Sequence, residues 1–133
     1  MHIDLSKGRN CIKIFSKSGR DSTDNYIGLH SVLRDSLMLE TAECKIKKQC
    51  ILEGELLVWN DHDKRIKPFH KICRHVQQLG RFLRTSQDSP VDLHKHLMII
   101  FYNMLLLDDI LCIRETHNVR RQRLHTLVHY IPG

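Results

Sequence analysis

The sequence predicts an α+β fold, in which helices cover a mainly antiparallel sheet. Residues 50–59 and 97–107 are long apolar segments, which are typical of central strands buried on both faces. Three further segments, at residues 25–39, at residues 70–79 and near the carboxyl end, repeat apolar side chains at helical spacing. Hairpins, a buried sheet and covering helices together make an α+β architecture.

The chain opens with a predicted β-hairpin. Residues 1–5 and 11–16 are short alternating segments on either side of a turn that contains Gly8. A second polar turn follows at residues 17–23, and its Ser, Thr and Asp side chains are suitable helix caps. We therefore expect a helix over about residues 25–39.

The two long strands organise the rest of the chain. The first ends at a strong turn pattern, residues 60–63, and residues 65–67 form a short return strand before Pro68. An amphipathic helix at residues 70–79, ended by Gly80, and a polar loop at residues 85–90 lead to the second central strand at residues 97–107. The last predicted helix places Leu124, Leu127, Val128 and Ile131 behind the basic cluster at residues 120–123.

Two glutamates interrupt the first long strand. Glu53 and Glu55 are two positions apart, so on a strand they point to the same face, and Gly54 leaves the other face open to a close approach. Carboxylates in the middle of an apolar strand indicate that this strand faces a ligand. The alternative is a hairpin edge whose glutamates face water.

Composition narrows the class of protein. The length of 133 residues, with 41% hydrophobic and 27% charged residues, indicates one globular domain rather than a disordered chain. The longest apolar run, at residues 97–107, is too short to cross a bilayer, and the chain opens without a signal segment. We expect no membrane partner.

The cysteines and histidines indicate neither a disulfide framework nor a metal site. Five widely spaced cysteines without a Cys-x-x-Cys pair predict reduced side chains and an intracellular protein. His94 and His96 share one face of a strand, but a zinc site needs further spaced ligands. The net charge of +6 favours polyanions such as nucleic acid, although it is weak support by itself.

Four motifs in order give the chain a specific resemblance. They are Ser16-Lys17-Ser18-Gly19-x-Asp21-x-Thr23, Leu52-Glu53-Gly54-Glu55, Phe101-Tyr102-Asn103-x-Leu105 and Arg120-Arg121-x-x-Leu124. The set resembles the middle of the adenylation domain of ATP-dependent DNA ligases of the eukaryotic type, over essentially the whole chain. The resemblance implies part of an ATP-grasp-like nucleotidyltransferase domain at residues 1–133, with ATP and Mg²⁺ as cofactors and nicked double-stranded DNA as partner.

The resemblance also implies three nucleotide-binding residues. Lys17 matches a base that touches ribose or nicked DNA, Glu55 a carboxylate that meets ribose or metal, and Tyr102 an aromatic that stacks on adenine. Each role is chemically sound, since a flat ring stacks on a purine and a carboxylate holds hydroxyls or a hard cation. Each residue taken by itself has a simpler interpretation. A tyrosine such as Tyr102 is more often a core residue, a glutamate such as Glu55 more often faces solvent at a strand edge, and a lysine such as Lys17 is almost always on the surface.

Several departures from the family pattern bear on activity. The family's nucleophilic lysine lies in Lys-x-Asp-Gly, which this sequence lacks, so we assign no catalytic residue. Glu53 and Asn103 stand where the family has aspartates. We therefore expect an internal fragment of a ligase, without the later lysine motifs and the oligonucleotide-binding barrel, and with exposed sheet edges that favour self-association.

Three functions remain in competition. The first is a ligase that seals DNA nicks in repair or recombination, in its intact form, with a nuclear location. The second is a non-catalytic nucleotide-binding or DNA-binding remnant. The third is a relative of the guanylyltransferases of RNA capping, against which the first and last motifs count.

Overall fold

The computed structural model of the protein describes residues 1–67 and 95–130. These residues form a five-stranded antiparallel sheet and two α-helices, which confirms the predicted α+β class. The strands are β1 (His2–Asp4), β2 (Ile12–Lys13), β3 (Gln49–Asn60), β4 (Arg65–Ile66) and β5 (Lys95–Leu107). The helices are α1 (His30–Ser36) and α2 (His117–Leu127), and short 3₁₀ segments span Leu5–Asn10, Thr23–Leu29 and Cys112–Arg114.

Strand β3 is the centre of the sheet, as the sequence predicted. Strand β5 pairs with it along one edge over almost its whole length. On the opposite edge, β1 pairs with the start of β3 and β4 with its end, and β2 lies outside β1. The predicted hairpin and return strand are thereby confirmed. The second long strand is confirmed as β5, and its central position stays a prediction, since within residues 1–67 and 95–130 the strand that pairs with β5 is β3.

The first predicted helix is shorter than expected. Residues 23–29 form a 3₁₀ segment with a kink at Tyr26, and the α-helix begins only at His30. It ends at Ser36, because Met38 adopts a left-handed φ of 52°, which a regular helix excludes. The carboxyl-terminal helix is present but begins earlier than the basic cluster and ends at Leu127. The predicted helix at residues 70–79, the loop at 85–90 and Ile131 lie outside the described residues.

One face of the sheet carries the hydrophobic core. Ile3, Cys50, Leu52 and Met104 are almost completely buried on this face. They form a single cluster with Leu33 and Leu37 of the α1 region and with Leu124 and Leu127 of α2. Both helices therefore cover the same side of the sheet. We call the opposite side, which bears Glu55, Ile100 and Tyr102, the outer face.

Strand β5 contains two more residues than the stretch of β3 that it pairs with. The register passes from Gly54–Phe101 to Glu53–Asn103, and again from Leu52–Met104 to Ile51–Leu106, so Tyr102 and Leu105 are the extra residues of two β-bulges. The bulges keep Phe101, Met104 and Leu107 against the core although these positions are three residues apart. A regular strand would turn alternate members of this set outward.

Asp108 ties the end of β5 back to the start of β3. Its carboxylate accepts hydrogen bonds from the backbone N–H groups of Lys47, Lys48 and Gln49 at 3.0, 2.7 and 3.2 Å. Its own N–H donates to the Gln49 carbonyl at 2.7 Å, and its backbone has a left-handed φ of 53°. Asp108 therefore fixes where the two strands meet.

The described cysteines are free, in agreement with the sequence prediction. Cys11, Cys50 and Cys112 are buried and Cys44 is half-buried. Burial raises the pKa of the Cys50 thiol to about 12, and the nearby Asp108 carboxylate acts in the same direction. Cys50 is therefore an inert core side chain.

The close contact between Gly54 and β5 allows the packing of the two strands to be tested. A Cβ atom at this position would lie 3.0 Å from the Ile100 carbonyl oxygen and 3.1 Å from Cδ1 of Phe101. We predict that Gly54→Ala lowers the free energy of unfolding by about 1–3 kcal/mol, because the closely packed β5 backbone must move. Urea unfolding measures the change.

Glu55→Ala, on the exposed face of the same strand, is the control and should change the free energy of unfolding by less than about 0.5 kcal/mol. Equal stability of Gly54→Ala and wild type would contradict the prediction.

Candidate functional site

The outer face brings two of the three predicted site residues together. Glu55 is exposed on β3 and pairs in register with Ile100 of β5. Tyr102 lies two residues further along β5, in the first bulge, and is 46% exposed. An aromatic side chain and a carboxylate therefore occupy diagonal positions on two paired strands, on the side of the sheet opposite α1 and α2.

Lys17 lies apart from this pair. It occupies an exposed tight turn, residues 16–20, that follows β2, and β1 separates β2 from β3. Gly19 has a left-handed φ of 80° and donates its N–H to the Ser16 carbonyl at 2.9 Å, so the motif's glycine is needed for the turn. Strand β2 runs parallel to β3, so the turn follows at the end of the sheet where Glu53 and Glu55 lie.

Asp21 and Thr23 of the same motif hold this turn in place. Asp21 accepts hydrogen bonds from the Thr23 hydroxyl at 2.6 Å, from the Thr23 N–H at 3.0 Å and from the Lys13 ammonium at 3.2 Å. These bonds, led by the Thr23 hydroxyl, lower the pKa of Asp21 to about 2. Because the pKa is lowered on folding, this stabilisation is present at neutral pH and is lost as the pH falls towards 2. The two residues are therefore structural supports of the turn.

Glu53 and Asn103, the two departures from the family pattern, are direct partners. They are paired in register, and Asn103 donates its Nδ2–H to Oε2 of Glu53 at 2.7 Å. The amide is oriented by its other end, since Asn103 Oδ1 accepts the Met104 N–H at 3.0 Å. Asparagine supplies a donor where an aspartate would set a second carboxylate against Glu53. The pair therefore joins an amide donor to a carboxylate acceptor.

Sequence inspection did not find this partnership. Counting two residues per repeat along regular strands gives the wrong partner for Glu53, because the bulge at Tyr102 shifts the register by one residue. The predicted close approach at Gly54 is confirmed, and the groups that approach are the Ile100 carbonyl and the Phe101 side chain. Both Glu53 and Asn103 stand where the family has aspartates, and this was the indication in the sequence that the two residues interact.

Metal-binding and membrane-spanning features were sought in the part of the chain that the structure describes. There, no group of three or more His, Cys, Asp or Glu side chains is placed to hold a metal ion. No described helix is long and apolar enough to cross a bilayer.

Comparison with known proteins decides the family. A model of the ATP-dependent DNA ligase domain matches residues 2–133. The chain belongs to the ATP-dependent DNA ligase domain family. A relative, DNA ligase 4 of Dictyostelium discoideum, is 24% identical over 107 residues, which cover 80% of this chain. The matched region is 9% of that relative, so the chain corresponds to a small part of it. The five-stranded sheet agrees with a partial ligase adenylation domain.

The hydrogen bond between Asn103 and Glu53 can be tested by changing Asn103. We predict that Asn103→Asp lowers the free energy of unfolding at pH 7 by about 1–3 kcal/mol, because two carboxylates would replace a donor and an acceptor. Repulsion raises the folded-state pKa of one carboxyl, so the variant should be most stable at acidic pH and lose stability as the pH rises through that pKa.

Thermal melting of Asn103→Asp between pH 4 and 8 measures this effect relative to wild type. Asn10→Asp, at an exposed position, is a matched control with the same charge change. If the two variants show the same pH dependence, Asn103 does not act through Glu53.

Proposed function

We propose that the outer face is an adenine-nucleotide site and that Tyr102, Glu55 and Lys17 bind the nucleotide. The observation that supports the proposal is that Tyr102 and Glu55, both exposed, lie at diagonal positions on the paired strands β5 and β3. In this arrangement Tyr102 stacks on adenine, Glu55 accepts hydrogen bonds from ribose hydroxyls or helps to hold a cation, and Lys17 reaches ribose or phosphate.

The bulge makes Tyr102 suitable for stacking on a base. As the extra residue of β5, it can leave the core without displacing Phe101 or Met104, both of which pack inward. Strand pairing on either side holds the backbone of the bulge, so little conformational freedom is lost when a base stacks on the ring. The resemblance to ligases assigned the same residue to adenine.

ATP fits the chemistry of this face better than a free metal does. Glu53 and Glu55 offer two carboxylates, which suit the few protein contacts that Mg²⁺ makes when nucleotide phosphates supply its other ligands. Asn103 fixes the Glu53 carboxylate from one side. Mg²⁺ would neutralise phosphate charge, while the side chains hold and orient the nucleotide.

The activity proposed for the intact protein is that of the family: sealing of nicked double-stranded DNA through an enzyme adenylate, in nuclear DNA repair or recombination. Residues 1–133 are proposed to form part of the adenylation domain. The chain as given contains no Lys-x-Asp-Gly sequence, and we propose that it does not carry out the covalent step by itself. This feature also favours the second candidate, a unit that binds nucleotide or DNA without catalysis.

Self-association is part of the proposal. Within the described ranges, the edge of β3 away from β5 has no paired strand between the β1 and β4 segments. The N–H and C=O groups of Gly54 and Leu56 point to that edge, given that those of Leu52 pair with Met1 and the Val58 carbonyl with Lys67. Such an edge can template pairing with a second chain.

The stacking role of Tyr102 is tested by its removal. We predict that Tyr102→Ala weakens ATP binding by about 1–3 kcal/mol, the usual contribution of a base stacked on an aromatic side chain. Isothermal titration calorimetry in the presence of Mg²⁺ measures the affinity. Tyr130→Ala removes another exposed tyrosine, which is 88% accessible and lies three residues beyond α2, and should leave the affinity unchanged. Equal affinities of wild type and a folded Tyr102→Ala variant would exclude the proposed site.

The absence of the nucleophile gives a second test. Adenylation requires an amine to attack the α-phosphate and release pyrophosphate, so we predict no covalent adduct after incubation of the chain with ATP and Mg²⁺. Intact-mass spectrometry should show an unchanged mass. A gain equal to one AMP, removed by acid and stable to base, would reveal a phosphoramidate on another amine and contradict the proposal.

A further inference from the structure

The outer face carries a different kind of side chain on each of three neighbouring strands. Tyr102 lies on β5, Glu53 and Glu55 lie on β3, and His2 lies on β1. His2 belongs to this face because Ile3, the next residue of β1, is buried in the core, and successive side chains of a strand point to opposite faces. The order from β5 to β1 is therefore an aromatic ring, two carboxylates and an imidazole.

The His2 imidazole is exposed but is held by a second ring. The ring centroids of His2 and Phe15 are 4.9 Å apart, and the two planes are inclined by 56°. A tilted contact at this distance is a favourable arrangement of two rings. Phe15 is itself bridged to Asp21, across the turn at residues 16–20. The imidazole is therefore oriented before a ligand arrives, so binding costs it little rotamer freedom.

The two glutamates restrict where the phosphates of a bound nucleotide can lie. Phosphate oxygens are repelled by Glu53 and Glu55 unless a cation lies between them. The β5 side of these carboxylates is occupied by Tyr102, the proposed platform for the base. The phosphates of a nucleotide stacked on Tyr102 would therefore lie on the opposite side of the carboxylates, towards β1 and β2.

Nitrogen donors are present on that side. Lys13 pairs in register with His2, but its ammonium is bonded to the Asp21 carboxylate at 3.2 Å. Within residues 1–67 and 95–130, neither His2 nor Lys17 forms an ion pair with a carboxylate. His2 and Lys17 are therefore the donors that can turn to a phosphate.

The spacing of the strands suits an extended nucleotide. Neighbouring strands are about 4.8 Å apart, so β1 lies about 10 Å and β2 about 14 Å from β5 across the sheet. A nucleotide presents its base, its ribose and its phosphates in this order along its length. The ring, the carboxylates and the nitrogen donors of the outer face follow the same order.

We propose that His2 is a further nucleotide-binding residue, which donates a hydrogen bond from its imidazole to a phosphate oxygen. The inference rests on the proposed nucleotide site at Tyr102 and Glu55. Burial lowers the pKa of His2, so the imidazole is neutral at pH 7 and contributes one N–H donor rather than a full charge. Phe15 is a positioning residue that holds this donor. The contact makes the site prefer nucleotides to the nucleoside.

Isothermal titration calorimetry of the whole chain with ATP and with adenosine, both in the presence of Mg²⁺, tests the role of His2. The variant His2→Phe keeps a ring against Phe15 and removes the N–H donor. Its affinity for ATP should fall about tenfold, since a hydrogen bond to a charged acceptor is lost, while its affinity for adenosine stays unchanged. His117→Phe changes an exposed histidine of α2, a helix that covers the core face, and should alter neither affinity.

A second pair of variants keeps the test valid if His2→Phe does not fold. His2→Gln and His2→Met introduce side chains of similar length, of which only glutamine has an N–H donor. His2→Gln should therefore bind ATP more tightly than His2→Met, with equal affinities for adenosine. Thermal melting followed by circular dichroism shows which variants are folded.

Three results would overturn the role of His2. They are unchanged ATP affinity in folded His2→Phe, equal losses of ATP and adenosine affinity, and equal ATP affinities of His2→Gln and His2→Met. Tyr102→Ala, measured in the same series, should weaken the binding of both ligands. If it does so while ATP binding is insensitive to His2, the nucleotide site stands and only this inference fails. If wild type does not bind ATP, both fail.

Discussion

The pairing of β3 with β5 is the constraint on which the rest of the structure depends. The two strands pair over eleven positions of β3, from Cys50 to Asn60, but β5 carries two additional residues within that span. Both are placed in bulges, so the core side chains of β5 keep facing the helices. The position of Tyr102, the partnership of Glu53 with Asn103 and the close approach at Gly54 are all consequences of this register.

Asp108 maintains the register where the end of β5 meets the start of β3. Its carboxylate satisfies three successive backbone N–H groups that precede and begin β3, and its own N–H bonds to the Gln49 carbonyl. A single side chain thus joins segments 60 residues apart in the sequence. Since a slip of one residue would turn every apolar side chain of β5 to the wrong face, such an anchor contributes to specificity as well as to stability.

The two faces of the sheet have different electrostatics. The outer face carries Glu53, Glu55 and the exposed ring of Tyr102, while the helix packed on the core face carries Arg120, Arg121 and Arg123. A nucleotide site needs a stacking platform and a few oriented polar groups, and the outer face is the side of the sheet on which we propose such a site.

The amino-acid sequence by itself determined the α+β class and five elements of the fold: the two long strands, the first hairpin, the return strand and a basic carboxyl-terminal helix. It could do so because apolar periodicity and turn residues are local properties of the chain. It also determined the family, through four ordered motifs. Only the tertiary structure decided that Glu53 pairs with Asn103, that Tyr102 is a bulged residue and that Arg123 pairs with Glu115. These facts depend on strand register and on contacts between distant segments, and period counting along the chain cannot predict either once a bulge has shifted the register.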